Sequence, residues 1–331
     1  MRLAALALPV LLAAGLAFKI NVGSPDGYRE NPADVSPKLR SSLKTKPFVL
    51  VLGIAQDAGF PQAGCQKDCC RAAWRQPQKR RMVSCLALVD PAAGEAWLFD
   101  ATPDFPEQLH RLENVLPQKP VRLAGIFLTH AHVGHYSGLM HLGREAMNAK
   151  ATPVYAMPRM RSFLSQNAPW NLLLDLRNIE LRTLSADSAV VLGGKFRITP
   201  LLVPHRDEFS ETVGYRIESA EKSLLFIPDI DKWHLWQRDI LAEIRQVDYA
   251  LLDGTFFQNG EIPGRDMSEI PHPFIVESLE TFAPLPPQER AKVHFIHFNH
   301  TNPVLLERGG ERKRVVKAGF GVAEEGAMFL L

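Results

Sequence analysis

The strongest constraint in this chain is Thr129-His130-Ala131-His132-Val133-Gly134-His135, placed directly after the apolar run Leu123-Ala124-Gly125-Ile126-Phe127-Leu128. The run reads as a buried strand. The three imidazoles at its end read as metal ligands, because neutral imidazole suits zinc and borderline iron or manganese. In extended chain, residues two apart point the same way, so His130 and His132 can share one ion. His135, past a turn, can face that ion or a neighbouring one. Such a site needs further ligands from distant parts of the chain.

The 331 residues are 46% hydrophobic with a formal net charge of +2. That is ample for a core and too balanced for a nucleic-acid surface or an acidic solvating tail. A small-molecule substrate is the expectation, and nothing indicates an oligomeric state. Met1-Arg2 and the apolar run Leu3 to Phe18 read as a signal peptide or membrane anchor over residues 1–18, with Gly15-Leu16-Ala17 as a cleavage site. Residues 19–46, rich in Pro, Ser and charge, read as a linker, and 47–331 as the functional domain. The expected location is extracytoplasmic: periplasmic, secreted, or attached to a membrane through the N-terminus.

Strand-like runs cover Pro47–Ile54, Ser84–Val89, Ala96–Phe99, Phe196–Val203, Ser223–Ile227, Tyr249–Leu252 and Val293–Ile296. Helical spacing covers Phe105–Leu116, Tyr136–Met147, Arg159–Gln166 and Trp233–Ile244. Asp100, His130, His205, Asp229, Asp253 and His297 each fall at or just beyond a strand end, where α/β architectures gather their sites. Asp100 there suits holding a ligand imidazole or the loop backbone from behind. Asp104 and Asp231 read as helix N-caps. His110, His141, His234 and His294 have no motif context and read as packing or surface.

In order and spacing, Asp100, His130-x-His132-x-Gly134-His135, His205, Asp229 and His297 resemble the metallo-β-lactamase fold superfamily, from about Phe48 to the C-terminus. Gly59-Phe60-Pro61-Gln62 with Cys65 and Cys70, Ala101-Thr102-Pro103-Asp104, and His297-Phe298-Asn299-His300-Thr301-Asn302-Pro303 are similar to its pyrroloquinoline quinone biosynthesis B group. The phosphonate-pathway cyclic phosphodiesterases share the cysteine region. The resemblance implies an α/β fold, an αββα sandwich of two mixed sheets with outer helices and the active site at one edge. It implies His130, His132 and His205 on a first metal, His135 and His297 on a second, and Asp229 bridging. The carboxylate expected between His132 and His135 is missing, because residue 134 is glycine. Asp104, Asp253 and His300 are the candidates to replace it; otherwise the second metal is weak or absent.

Members of the group hold a structural zinc through C-x-C-x2-C and a distant histidine. Here Cys65 and Cys70 match the outer positions, Lys67 replaces the middle cysteine, Cys69 is an extra thiol, and His272 is the expected distant ligand. A Cys3His zinc site, a disulfide from Cys65 to one of the pair, and free thiols stay open as readings. Cys85 reads as a small buried hydrophobe. The implied activity is hydrolysis of an ester, phosphodiester or lactone-like bond by water activated on one or two Zn2+ ions. Asp229 would orient that water and His300 act as general acid. An Fe2+-dependent oxidation like that of the quinone-biosynthesis member and a non-catalytic carrier are the alternatives. The run Gly264–Ile270 reads either as a loop over the pocket, with Arg265 as an anion contact, or as a solvated loop.

Overall fold

The computed structural model describes residues 45–116, 120–306 and 310–331. The segment read as a signal peptide or anchor, and all of the linker except Thr45 and Lys46, lie outside the described residues. No helix among the described residues is long and apolar enough to cross a membrane.

The first sheet contains β1 (Phe48–Gly53), β2 (Cys85–Asp90), β3 (Glu95–Phe99), β4 (Arg122–Phe127), β5 (Thr152–Ala156), β6 (Ile179–Thr183) and β14 (Met328–Leu330). The second contains β7 (Val190–Leu192), β8 (Phe196–Leu202), β9 (Val213–Glu218), β10 (Ser223–Ile227), β11 (Tyr249–Asp253), β12 (Val293–Ile296) and β13 (Gly321–Val322). Their spatial orders are β14-β1-β2-β3-β4-β5-β6 and β13-β12-β11-β10-β9-β8-β7. Each sheet is mixed. Pairing changes from antiparallel to parallel at β3 in the first sheet and at β10 in the second. Such reversals open a crevice at the carboxyl ends of the strands, and β3 and β10 are the strands that lead into Asp100 and Asp229.

Strand alternation separates two cores. Val49, Val51, Leu86 and Leu88 face the interior between the sheets. Phe48, Leu50, Leu52, Cys85, Ala87 and Val89 face the opposite way, toward the helix Phe105–Glu113, which contributes Phe105, Leu109 and Leu112. These strands are covered on both faces, which is why they read as continuous apolar runs. Cys85 is fully buried there, as expected. Between the sheets, Phe99 stacks on Phe127 at 5.3 Å, and Tyr215 meets both rings edge-on at 5.4 and 5.7 Å. Each such ring contributes about 1.5–3 kcal/mol through burial.

Two expected helices are broken. The segment 136–147 gives a short helix Val133–Tyr136, then a 3-10 turn Ser137–Leu142. Gly138 lies so close to the Asp100 loop that a Cβ would sit 2.2 Å from the Thr102 carbonyl oxygen. Trp233–Ile244 divides into a turn at Trp233–Leu235 and a helix Ile240–Arg245, whose N-cap Asp239 accepts from the Leu241 amide at 2.8 Å.

Candidate metal centre

Strand ends deliver the site. Asp100 directly follows β3 and His297 directly follows β12, with φ of 73° and 68°. Left-handed backbone at non-glycine residues stores strain, and here both instances turn a functional side chain into the crevice. The second sheet clamps the histidine loop: the Tyr215 hydroxyl donates to the Leu128 carbonyl, the Val213 amide to the Thr129 carbonyl at 3.1 Å, and the Ala131 amide to Ser210 Oγ at 2.8 Å.

Almost every imidazole has one nitrogen held from behind. His135 Nδ1 donates to Asp100 Oδ2 at 2.7 Å, and His205 Nδ1 to Asp231 Oδ1 at 2.9 Å. His130 Nδ1 lies 2.9 Å from Thr129 Oγ1, and His297 Nδ1 2.9 Å from Thr255 Oγ1. Those hydroxyls in turn donate to Asp100 and Asp253 at 3.0 and 2.7 Å. With the proton fixed on Nδ1, the Nε2 lone pair is aimed into the crevice, the arrangement of metal-ligating histidines. Asp231 therefore orients His205 and is not the helix cap expected of it.

The donors form two groups sharing Asp229. His130, His132, His205 and Asp229 make one; Asp57, His135, His297 and Asp229 make the other. Ligands about 2.05 Å from a tetrahedral ion stand roughly 3.3 Å apart. In the first group, His130 Nε2 and His205 Nε2 lie 3.4 and 3.3 Å from Asp229 oxygens, with His132 Nδ1 2.8 Å from His130 Nε2. In the second, His135 Nε2 is 3.1 Å from Asp57 Oδ1 and 3.5 Å from Asp229 Oδ2, and His297 Nε2 is 3.8 and 3.7 Å from the same two atoms. His205 Nε2, His297 Nε2 and Asp229 Oδ1 are buried with no hydrogen-bond partner. Orphaned acceptors at this spacing fit divalent ions.

The electrostatics agree. Burial opposes ionisation of Asp229, yet His205, His297 and His272 hold its carboxyl well below the usual range. Burial likewise opposes ionisation of Asp57, whose pKa is lowered by hydrogen bonds to His135 and His297. Burial depresses His130 and His132, which keeps them neutral. His135 is driven the other way: burial disfavours its charged form, but Asp100, Asp229 and Asp57 push it well above the ordinary value.

Asp57 was not among the expected ligands. Its stretch, Gln56-Asp57-Ala58-Gly59, reads as a turn, and the glycine at 134 was the one available signal, since a glycine inside a ligand loop marks a close approach. Of the other candidates for the missing carboxylate, Asp104 accepts from the Val83 amide at 2.8 Å and, although it precedes the helix, makes no side-chain cap. Asp253 backs His272 at 2.8 Å.

His272 and His300 exchange the places expected of them. His300 joins Cys65, Cys69 and Cys70, with Nδ1 3.5 and 3.3 Å from the Cys69 and Cys70 sulfurs. Cys65 and Cys69 sulfurs are 3.6 Å apart and all three thiols are free. Thiolates on tetrahedral zinc stand roughly 3.8 Å apart, so these four donors fit that ion. His300 reaches them because the bridge Ala55–Phe298 ties its loop to the chain that leads into the cysteines. Its Nδ1 faces sulfur, whereas the expectation placed this ring at the substrate as a general acid. His272 lies in the crevice instead, its Nδ1 2.8 Å from Asp253 and 3.2 Å from Asp229. Burial disfavours its charge, but the two carboxylates raise its pKa to about 9.

A family model described as a beta-lactamase superfamily domain matches residues 96–298. The coenzyme PQQ synthesis protein B of Methylorubrum extorquens (strain PA1) is 26% identical over 300 residues, covering 84% of this chain and 98% of the relative. That of Methylococcus capsulatus (strain ATCC 33009 / NCIMB 11132 / Bath) is 28% identical over 312 residues, covering 86% and 100%. The crystal structure of Zn(2+)-bound PqqB from Methylobacterium extorquens aligns with a TM-score of 0.72 at 25% identity, covering 86% of this chain and 100% of that one. A diphosphatase from the PhnP family aligns at 0.59 with 22% identity over 87% and 99%, a likeness of fold. The match over more than half of the chain and the two facing seven-stranded sheets lead to one conclusion: this protein belongs to the metallo-β-lactamase superfamily.

Proposed function

We propose that the protein is a metal-dependent hydrolase acting on an ester, phosphodiester or lactone-like bond. The observation that carries this reading is the pair of donor groups joined by buried Asp229, with three of their atoms otherwise unpartnered. His130, His132 and His205 would hold one ion with Asp229; His135 and His297 would contribute to the other. A bound divalent ion supplies Lewis acidity and lowers the pKa of its water. Asp229, ionised among histidines, orients the reacting water through a carboxylate oxygen. Asp100, Asp231, Thr129 and Thr255 keep the ligand lone pairs aimed. His272, with Asp253 on Nδ1, holds a proton beside Asp229 and takes the acid role first expected of His300.

A second reading, an Fe2+-dependent oxidation, draws on the relatives named coenzyme PQQ synthesis protein B, and imidazoles with a carboxylate also suit that ion. Metal analysis of protein purified with and without air separates the two. Zinc at the His/Asp groups with turnover of bis(p-nitrophenyl) phosphate or a lactone supports hydrolysis. Bound ferrous iron with dioxygen uptake and no hydrolysis overturns it. His132→Ala should abolish the activity and release the first-site metal.

A further inference from the structure

We infer that Asp57 is the carboxylate ligand that the His130–His135 loop lacks, moved to the segment after β1 and admitted there by Gly134. The inference rests on the metal-centre reading and names the residue that completes its second half.

Three observations converge on it. A Cβ on Gly134 would lie 2.4 Å from Asp57 Cα and 2.6 Å from Asp57 Oδ1. No real Cβ tolerates such contacts, so a side chain at 134 and Asp57 in its present place exclude one another. The Asp57 carboxylate stands where a carboxylate on residue 134 would have begun.

The aim of the neighbouring rings supplies the second observation. His135 Nδ1 is committed to Asp100, and His297 Nδ1 to the hydroxyl of Thr255, which itself donates to Asp253. Both Nε2 atoms therefore face the crevice, opposite two carboxylates, Asp57 and Asp229. These four atoms, two of them on carboxylates, lie within 4.8 Å of one another, and such a cluster calls for positive charge among them. A divalent ion supplies that charge with the four donors usual for a closed site.

The third observation is how Asp57 is held. Ala55 bridges both Val83 and Phe298, the Gln56 amide donates to the Phe298 carbonyl at 2.9 Å, the Phe298 amide to the Ile54 carbonyl at 2.8 Å, and Asn299 Nδ2 to Gln56 Oε1. The backbone leading into Asp57 is thus fastened to the residue next to His297, which ties two donors of the second group to each other. An aspartate serving only as a turn residue needs none of these ties.

The test counts zinc. Full-length protein is dialysed to equilibrium at a free zinc concentration that saturates the wild type, and bound metal is measured by mass spectrometry for wild type, Asp57→Ala, Asp57→Asn and Gly134→Ala. Asp57→Ala should bind one zinc ion fewer per chain, with second-site affinity lowered by more than the roughly 10–100-fold that loss of an outer hydrogen-bond partner costs. Gly134→Ala should lower second-site affinity as well, because its Cβ would stand 2.4 Å from Asp57 Cα and 2.6 Å from Asp57 Oδ1 and so displace the carboxylate. The Asp57 side chain is 29% exposed, and Asp57→Asn keeps its shape, so loss of metal without loss of circular dichroism is attributable to the ligand. Wild-type zinc content and affinity in both Asp57 variants would overturn the inference. His132→Ala distinguishes it from the broader reading. If that variant keeps all its zinc while Asp57→Ala loses an ion, the first-site assignment fails and Asp57 stands. If His132→Ala loses an ion and Asp57→Ala does not, Asp57 fails and the first site stands.

Discussion

Asp100→Asn tests how the centre is held, because it alters charge and hydrogen-bond polarity without altering shape. Asp100 accepts from the Thr129 amide at 2.8 Å, from Thr129 Oγ1 at 3.0 Å and from His135 Nδ1 at 2.7 Å. Asparagine tolerates the left-handed φ of 73° and keeps Oδ1 for the Thr129 amide. Its Nδ2 can donate to Thr129 Oγ1 but cannot accept from His135. The imidazole must then carry its proton on Nε2, which turns a ligand lone pair into an N–H facing the crevice. Loss of one charge-assisted hydrogen bond costs about 1.5–3 kcal/mol, and loss of an outer partner of a ligand histidine costs about 10–100-fold in metal affinity. Competition titration against a chromophoric chelator should show the site containing His135 weakened by that factor, with the cysteine site unchanged and a thermal midpoint several degrees lower. Asp100→Ala should cost more, since it also strands the buried Thr129 amide. If Asp100→Asn matches the wild type in zinc affinity and melting temperature, the tautomer argument is refuted.

Three further outcomes are expected. His300→Ala should release the zinc of the cysteine site and lower the thermal midpoint, while His272→Ala should retain that zinc and lose activity; metal counting with a kinetic assay reads both. Burial raises Glu261 from 4.5 to about 7, so the folded state keeps a proton that the unfolded chain has lost between those values. Stability from this group is therefore complete below about pH 4.5 and disappears as pH rises through about 7, a change of about 1–3 kcal/mol after solvent screening; Glu261→Gln should flatten it in urea denaturation across that range. Tyr215→Phe removes the hydroxyl that reaches from the second sheet to the Leu128 carbonyl, and should cost about 1–2 kcal/mol in the same assay with metal content unchanged.

The N-terminal assignments, 1–18 as signal or anchor and the extracytoplasmic location with it, are proposals that protease protection of a tagged chain in spheroplasts would check. Hydrolysis in an intact-cell fraction would agree with them, and activity confined to the cytoplasm would not.

The amino-acid sequence by itself determined the strands of both sheets that lead into the site and the order of His130, His132, His135, His205, Asp229 and His297. The physical reason is local: strands buried on both faces must be apolar throughout, so a polar residue at their ends is conspicuous. The short strands β13 and β14 carried no comparable signal. Only the tertiary structure decided which distant side chain meets which. His272 and His300 are both single histidines near loops, and nothing in spacing says which reaches the cysteines; the bridge from Ala55 to Phe298 does. Asp57 lies 77 residues before Gly134, a distance in sequence that no local pattern spans, yet packing brings its carboxylate to the place that glycine leaves open. A missing side chain in the sequence is, in the folded protein, the room into which another one fits.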